Sequence, residues 1–259
     1  MITPLLRTAS TVAALTVLPL TTVPAAAAAP APAPRAAAAA PAPAPRAAAA
    51  APAPAPRAAA AAPAPAPRAA VAVPLGQAIA SLPRAAESRD GYTRSSFKHW
   101  VDADRDGCNT RAEVLIAEAI EPPTIGARCA LTGGVWWSMY DEQRVTAASG
   151  LDVDHMVPLA EAWDSGASGW TATRRQAYAN DLDAERSLIA VTAKTNRSKA
   201  DQDPAEWMPP ATAQHCAYVA DWTATKARWQ LTVDDAERQV LVTEAARCPG
   251  VTVAYEPVP

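Results

Sequence analysis

Two stretches decide the fold: LDVDHMVPL at residues 151–159 and TNRSKADQDP at residues 195–204. The first is typical of a short strand, which would deliver Asp154 and His155 side by side. In the second, Asn196 and Lys199 are three residues apart, so a helical turn would place both on one face. The two stretches therefore predict that a carboxylate, an imidazole and a side-chain amide meet beside one strand.

This combination of groups suits metal-assisted hydrolysis of a phosphodiester. A neutral histidine can take a proton from water near neutral pH, because the unperturbed imidazole pKa is about 6.5. An aspartate carboxylate and an asparagine carbonyl oxygen are hard ligands that suit Mg²⁺ or Mn²⁺. Such an ion can polarise the phosphate and stabilise the leaving oxygen.

The motif D-x-DH-x-VPL, followed by N-x-x-K-x-D, resembles the HNH, or ββα-metal, endonuclease superfamily. The wider pattern through Trp207 is similar to the GmrSD-type C-terminal-domain branch found in secreted actinobacterial proteins, and the likeness covers residues 92–248. The resemblance implies that His155 is the general base and that Asp154 and Asn196 are the metal ligands. It also implies a nucleic acid substrate, with DNA expected and RNA as the alternative.

Other residues are candidates for supporting roles. Ser187 stands where the family pattern has its middle asparagine, a residue that braces the loop and orients the histidine, and Asn180 is a candidate to share that bracing. Lys199 either contacts a phosphate or pairs with Asp201 or Asp203. The remaining basic residues expected near the site are Arg174, Arg175, Lys194 and Arg197.

The predicted fold class is α+β, with a ββα-metal core surrounded by helices. The second strand of that core is SLIAVT, residues 187–192, and its helix begins at Lys194. GGVWWSMYDEQRVTAAS predicts a separate short antiparallel hairpin, and TRAEVLIAEAIE, residues 110–121, predicts a helix that stops before Pro122. A helix is also expected after a Thr232 cap.

Four cysteines in an exported chain predict two disulfides, and three pairings are open. Cys108 and Cys129 flank one predicted helix. Cys216 and Cys248 bracket two helices that would fold back as a hairpin and bring their ends together. We therefore favour the pairs Cys108–Cys129 and Cys216–Cys248.

The amino-terminal part of the chain divides into two predicted segments ahead of the folded domain at residues 74–259. Residues 1–28 have the pattern of a secretory signal peptide, with a membrane anchor as the alternative. Residues 29–73 form a spacer in which AAAAAPAPAPR recurs every eleven residues, and alternating Ala-Pro favours an extended conformation. The spacer predicts cell-wall association, unless it is a low-complexity tract without selected length. No later stretch approaches membrane length, so stable membrane insertion is not expected.

Charge limits how the domain can bind nucleic acid. Residues 1–70 hold five of the 23 basic residues and none of the 26 acidic ones, so the remainder carries 18 minus 26, a net charge of −8. Such a domain is not a general polyanion binder, and its phosphate contacts must be local. We expect a monomer with low sequence preference, since no motif for base readout is evident.

The segment from Asp102 to Glu113 matches the calcium-loop pattern D-x-D-x-D-G-x5-E at its acidic positions. It predicts a structural Ca²⁺, whereas the alternative is a loop whose carboxylates are satisfied by Arg111 and nearby amides. Two other functions stay open beside the nuclease. One is a cell-wall-associated binding module without turnover, and the other is a calcium-stabilised extracellular module.

Overall fold

The structure is a computed structural model that describes residues 71–259, which lie within one compact unit. The predicted signal peptide and residues 29–70 of the predicted spacer lie outside the described residues. Residues 71–73, assigned to the end of the spacer, belong to a strand that pairs with the carboxy-terminal strand. That long-range pairing has no local sequence signal.

The fold mixes short strands with helices of up to four turns. The helices are α1 (Leu75–Ser81), α2 (Thr110–Ala117), α3 (Leu159–Asp164), α4 (Ala172–Ala179), α5 (Ala193–Lys199), α6 (His215–Trp229) and α7 (Asp235–Ala245). The strands are β1 (Val71–Pro74), β2 (Thr124–Ile125), β3 (Leu131–Thr132), β4 (Trp136–Ser138), β5 (Gln143–Val145), β6 (Leu151–His155), β7 (Leu188–Thr192) and β8 (Thr252–Tyr255).

Each sheet in residues 71–259 is an antiparallel pair of strands: β1 with β8, β2 with β3, β4 with β5, and β6 with β7. The mixed α+β class and the small antiparallel sheets are therefore as predicted. The β4–β5 hairpin is the one expected from its alternating sequence. Its two tryptophans face opposite ways, since Trp136 is fully buried and Trp137 is exposed.

The β6–β7 pair lies between two apolar clusters and carries α5 at its end. On one face, Val153 and Ala190 pack with Leu115 and Trp136. On the other face, Ile189 and Val191 join the larger core, which includes Tyr218, Trp222 and Trp229. Buried on both sides, this pair is a rigid platform for residues at its ends.

Both predicted disulfides are present, Cys108–Cys129 and Cys216–Cys248. Cys216 lies in α6 and Cys248 follows α7, so the second bridge joins the ends of the predicted helical hairpin. Within residues 71–259, no helix is both long and apolar enough to cross a bilayer.

Two helix boundaries differ from the prediction. The helix α2 ends at Ala117 rather than Glu121, because the Ile120 and Glu121 amides bond to the Val135 carbonyl instead of continuing the helix. The cap of α7 is Asp234 and not Thr232, since the Asp234 carboxylate accepts a hydrogen bond from the Glu237 amide at 2.8 Å.

Candidate active site

The site lies where β6 ends and α5 begins. Asp154 and His155 are the last residues of β6, and both are buried. Thr192 caps α5 by accepting a hydrogen bond from the Thr195 amide, which starts the helix directly after β7. The helix contacts both strands. Strand pairing and one helix cap thus bring together two segments that lie about forty residues apart in the chain.

Asp154 uses only one of its two carboxylate oxygens for hydrogen bonds. Oδ2 accepts from the Tyr140 hydroxyl at 2.7 Å and from the Lys199 ammonium at 2.5 Å. Among residues 71–259, no group donates to Oδ1. Burial raises the pKa of Asp154, while the Lys199 charge opposes that rise. The side chain is therefore held in one orientation with a free oxygen, as a metal ligand requires.

His155 is fixed in one tautomer by the main chain. Its Nε2 lies 3.0 Å from the Ala179 carbonyl oxygen, which can only accept, so Nε2 carries the proton and Nδ1 is the acceptor. The ring lies between Trp100 and Tyr178, with centroids 5.4 and 6.3 Å away. Burial lowers the pKa of His155 to about 3, so the imidazole is neutral at physiological pH.

Asn196 is oriented by a neighbouring carboxylate. Its Nδ2 donates to Asp152 Oδ2 at 3.3 Å, which leaves the amide oxygen as an acceptor. The same Asp152 oxygen lies 3.9 Å from Nε of the exposed Arg197. Asp152 therefore orients one candidate ligand and the adjacent cation.

A cavity of about 240 Å³ brings the predicted residues together. Asp154, His155 and Asn196 all line it, although alternation along β6 directs Asp154 and His155 to opposite faces. Both can reach the same cavity because the strand ends at His155. Its cationic lining residues are Arg94 and Arg197. The cavity thus combines hard oxygen ligands, a neutral base and two groups that can bind phosphate.

The structure contradicts both roles predicted for Lys199. Its side chain is fully buried, and Nζ also donates to the main-chain carbonyls of His155 and Met156, each at 2.9 Å. It is thus neither free to contact a phosphate nor paired with Asp201 or Asp203. The reason is geometric: the face of α5 that carries Lys199 packs onto β6 rather than facing solvent.

Two arginines expected near the site are part of the scaffold instead. Arg174 donates to the Trp229 carbonyl at 3.3 Å, and its guanidinium lies 4.8 Å from the Trp170 ring centroid. Arg175 donates to the Ser96 carbonyl at 3.1 Å. Neither lines the cavity, because main-chain carbonyls elsewhere in the fold bind both guanidinium groups. Lys194 is exposed at the start of α5.

Asn180 braces the loop that covers His155. Its Oδ1 accepts from the Val101 amide and the Thr110 hydroxyl at 2.9 Å each, and Nδ2 donates to the Lys98 carbonyl at 2.8 Å. These bonds hold the loop that carries Trp100. Asn180 also directly follows Ala179, whose carbonyl holds the His155 ring.

Ser187 makes a different contact, a hydrogen bond of 3.1 Å to Asp181. Asp181 also accepts from Arg228 and Trp229, so Ser187 belongs to a buried network at the start of β7. Ser187 does not line the cavity. The position predicted to resemble the middle asparagine therefore anchors a strand, while the bracing near His155 comes from Asn180.

Four residues of the site had no signal in the sequence: Arg94, Trp100, Tyr140 and Ala179. Tyr140 follows β4 and belongs to the turn of the predicted hairpin. Trp100 has a φ of 57°, a conformation that a bulky residue rarely adopts. Such contacts depend on tertiary packing, and no local pattern reports them.

The predicted calcium loop lies apart from this cavity. One carboxylate oxygen from each of Asp102, Asp104 and Asp106 lies within 4.8 Å of the others, and Gly107 turns the chain with a φ of 97°. Asp102 Oδ1 is buried without a hydrogen-bond partner among the described residues. Burial and the carboxylates of the loop raise the pKa of Glu113. The alternative prediction holds in part: the Gly107 amide donates to Asp102 at 3.1 Å and the Cys108 amide to Asp106 at 2.7 Å, whereas Arg111 donates to the Leu151 carbonyl at 2.9 Å.

Comparison with known proteins places these features in a family. Residues 126–244 match the family described as GmrSD restriction endonucleases, C-terminal domain, which indicates a nuclease-type function in general terms. The chain is 42% identical over 160 residues to an uncharacterized secreted protein of Arthroderma benhamiae. That alignment covers 62% of this chain and 77% of the relative. No solved structure matches the chain.

The relative bears on two predictions made from the sequence. It is named as a secreted protein, which confirms the predicted secreted localisation. It is fungal, so the similarity to actinobacterial proteins in particular stays a prediction.

Proposed function

We propose that the chain hydrolyses phosphodiester bonds of nucleic acid, because it belongs to the family carrying the GmrSD restriction endonuclease C-terminal domain. In this proposal β6, β7 and α5 are the ββα-metal core of an HNH endonuclease. The substrate is DNA, with RNA as the alternative, and the protein acts as a monomer. One observation carries the proposal: Asp154, His155 and Asn196 line a single cavity.

The residues present fit a divalent metal ion. Asp154 Oδ1 has no donor among the described residues, and the Asn196 amide nitrogen is engaged by Asp152, so each residue can offer one oxygen. These oxygens would hold Mg²⁺ or Mn²⁺, which prefer such ligands. When bound, the ion supplies polarisation of the phosphate and stabilisation of the leaving oxygen.

The protein side chains would perform the remaining tasks. His155 Nδ1 accepts the proton of the attacking water, while Nε2–H remains bound to the Ala179 carbonyl and holds the ring in position. Trp100 and Tyr178 restrict the tilt of that ring. Lys199 and Tyr140 fix the Asp154 carboxylate, and Arg94 and Arg197 bind the phosphate backbone.

The experiment that tests this function compares two histidines. We expect His155→Ala to abolish metal-dependent nicking of a plasmid while the circular dichroism spectrum stays unchanged. The matched control is His215→Ala, because His215 lies in α6, outside the cavity, with Nε2 bound to the Pro209 carbonyl. This control should nick at the wild-type rate. Continued nicking by purified His155→Ala protein would exclude the proposed general base.

The alternative is a cell-wall-associated binding module without turnover, tethered by the spacer. It is favoured by the net charge of −8 after residue 70 and by Ser187, which stands where the family pattern has its middle asparagine and does not line the cavity. This alternative predicts that Mg²⁺ or Mn²⁺ binds while neither DNA nor RNA is hydrolysed. Any metal-dependent hydrolysis by the wild-type protein that His155→Ala removes would exclude it.

We also propose that residues 102–113 bind a structural Ca²⁺. Support comes from the three convergent carboxylates and from the buried Asp102 oxygen without a donor. The ion would stabilise the loop between Trp100 and α2, and hence the ring that covers His155. Asp104→Asn should weaken Ca²⁺ binding at this loop, and a calcium titration that leaves the melting temperature unchanged would exclude the site.

A further inference from the structure

A second group of carboxylates lies at α3, outside the cavity that holds His155. Glu161 and Asp164 are three residues apart on this helix and share one face. Glu87, from the segment after α1, meets them there. One carboxylate oxygen from each of these three residues lies within 4.8 Å of the others. The spacing is compatible with three ligands of one cation.

Asp164 supplies the observation that points to a ligand. Its side chain is only 5% exposed, and Oδ2 accepts from Arg89 Nε at 2.6 Å. The other oxygen, Oδ1, is buried and has no hydrogen-bond partner among the described residues. A buried carboxylate oxygen without a donor is costly unless something binds it. Glu161 resembles it, since its hydrogen bonds from Ser165 and Lys226 both go to Oε1.

The acidic side chains around this group outnumber the basic side chains that contact them. Glu87 also lies within 4.8 Å of a second set of carboxylates, so six acidic side chains share the region. The cations that contact them are Lys226 and Arg89. The remaining three carboxylates, which already accept hydrogen bonds from protein donors, are Asp203, Asp234 and Glu237. Of the six, Asp164 is the one with a buried oxygen that has no partner among the described residues, and Glu87 and Glu161 are the carboxylates grouped with it.

We propose that Glu87, Glu161 and Asp164 bind a divalent cation, Ca²⁺ in the extracellular medium. Three carboxylates form a hard ligand set that suits Ca²⁺, and main-chain oxygens or water complete such sites. The ion would tie the segment around Glu87 to α3, which begins four residues after His155. This site is independent of the proposed catalysis and of the loop at residues 102–113.

Calcium binding to the full secreted chain tests the proposal, with stoichiometry measured by equilibrium dialysis and stability by the melting temperature. Glu87 lies in the irregular segment after α1, outside the helices and strands, so Glu87→Gln should fold normally. We expect this variant to bind one Ca²⁺ fewer per chain than wild type and to show a smaller rise in melting temperature. Asp104→Asn, which affects only the other loop, should retain the ion at α3. An unchanged stoichiometry and affinity in Glu87→Gln would overturn the proposal.

A second variant tests whether a metal ion or bound protons neutralise these carboxylates. Burial and the Glu161 carboxylate raise the pKa of Glu87 to about 8, so protons could instead neutralise the group. In that case Ca²⁺ would bind equally to wild type and to Asp164→Asn at pH 7, and the proposal would fail. If a metal ion binds here, Asp164→Asn should lose the same Ca²⁺ as Glu87→Gln. His155→Ala should retain that ion whether or not the protein is a nuclease.

Discussion

The interface of β6 with α5 and the helical scaffold of α3, α6 and α7 each bury one lysine, and the two lysines have different surroundings. The side chains of Lys199 and Lys226 are both fully buried, and each ammonium lies within 6 Å of the Trp222 ring centroid, at 5.7 and 5.5 Å. Lys199 contacts one carboxylate, that of Asp154, and two main-chain carbonyls. Lys226 contacts two carboxylates and two other oxygens, on Glu161, Glu237, Ser165 and Thr232.

The number of carboxylates around each ammonium explains its role. Burial lowers the pKa of Lys199, because a single carboxylate does not compensate for the lost solvent. Burial acts on Lys226 as well, but Glu237 and Glu161 together raise its pKa. Lys226 is therefore a structural link between α3, α6 and α7. Lys199 fixes Asp154 and leaves one of its oxygens available for another cation.

The largest expected effect is on stability, from Lys226→Met. Removing this ammonium leaves Glu161 and Glu237 buried without their shared cation, and breaking a buried ion pair on one side typically costs about 3–5 kcal/mol. Urea denaturation at pH 7.5 should report a loss of this size in the free energy of unfolding. Lys194→Met is the matched control, because Lys194 is exposed, and it should change the free energy by less than about 0.5 kcal/mol. Equal losses in the two variants would contradict the assigned role of Lys226.

Much of the fold was predictable because its signals are local. The segment GGVWWSMYDEQRVTAAS predicted the β4–β5 hairpin, and both disulfide pairs followed from the helices that lie between the cysteines. The pairing of β1 with β8 was missed because it joins the two ends of the described chain, where no turn sets the register. The α2 boundary was missed because tertiary bonds to Val135 override helix propensity there.

The sequence predicted that three residues would lie close together, but it did not predict the residues that hold them in place. Asp154, His155 and Asn196 carry their chemistry in the residue type, and the strand and helix spacing brings them to one cavity. Tyr140 and Trp100 act through packing, which depends on distant segments. Lys199 was misassigned because a lysine is rarely buried, and sequence alone does not reveal that Asp154 pairs with it.

A smaller loss of stability is expected from Lys199→Met. Asp154 keeps the Tyr140 donor and can take up a proton, so the cost should be about 1–3 kcal/mol, that of a buried acceptor losing one donor. Activity should fall much further than stability, because a protonated or rotated Asp154 binds a metal poorly. Urea denaturation and the plasmid assay measure the two effects. If Lys199→Met were less stable than Lys226→Met, the distinction between the two lysines would be wrong.

The smallest effect is a change in how stability depends on pH. Burial raises the pKa of Glu237 from 4.5 to about 7; Lys226 opposes this rise, and the Glu161 carboxylate adds to it. The folded state thus binds more protons than the unfolded state between these values, so this group's contribution is complete below pH 4.5 and is lost as the pH rises through 7. Glu237→Gln keeps an acceptor for the Trp222 indole and carries no charge. Its free energy of unfolding should therefore fall less than that of wild type between pH 5 and 8, in urea titrations at each pH. Parallel profiles would mean that Glu237 stays ionised throughout, and that Lys226 balances both of its carboxylates.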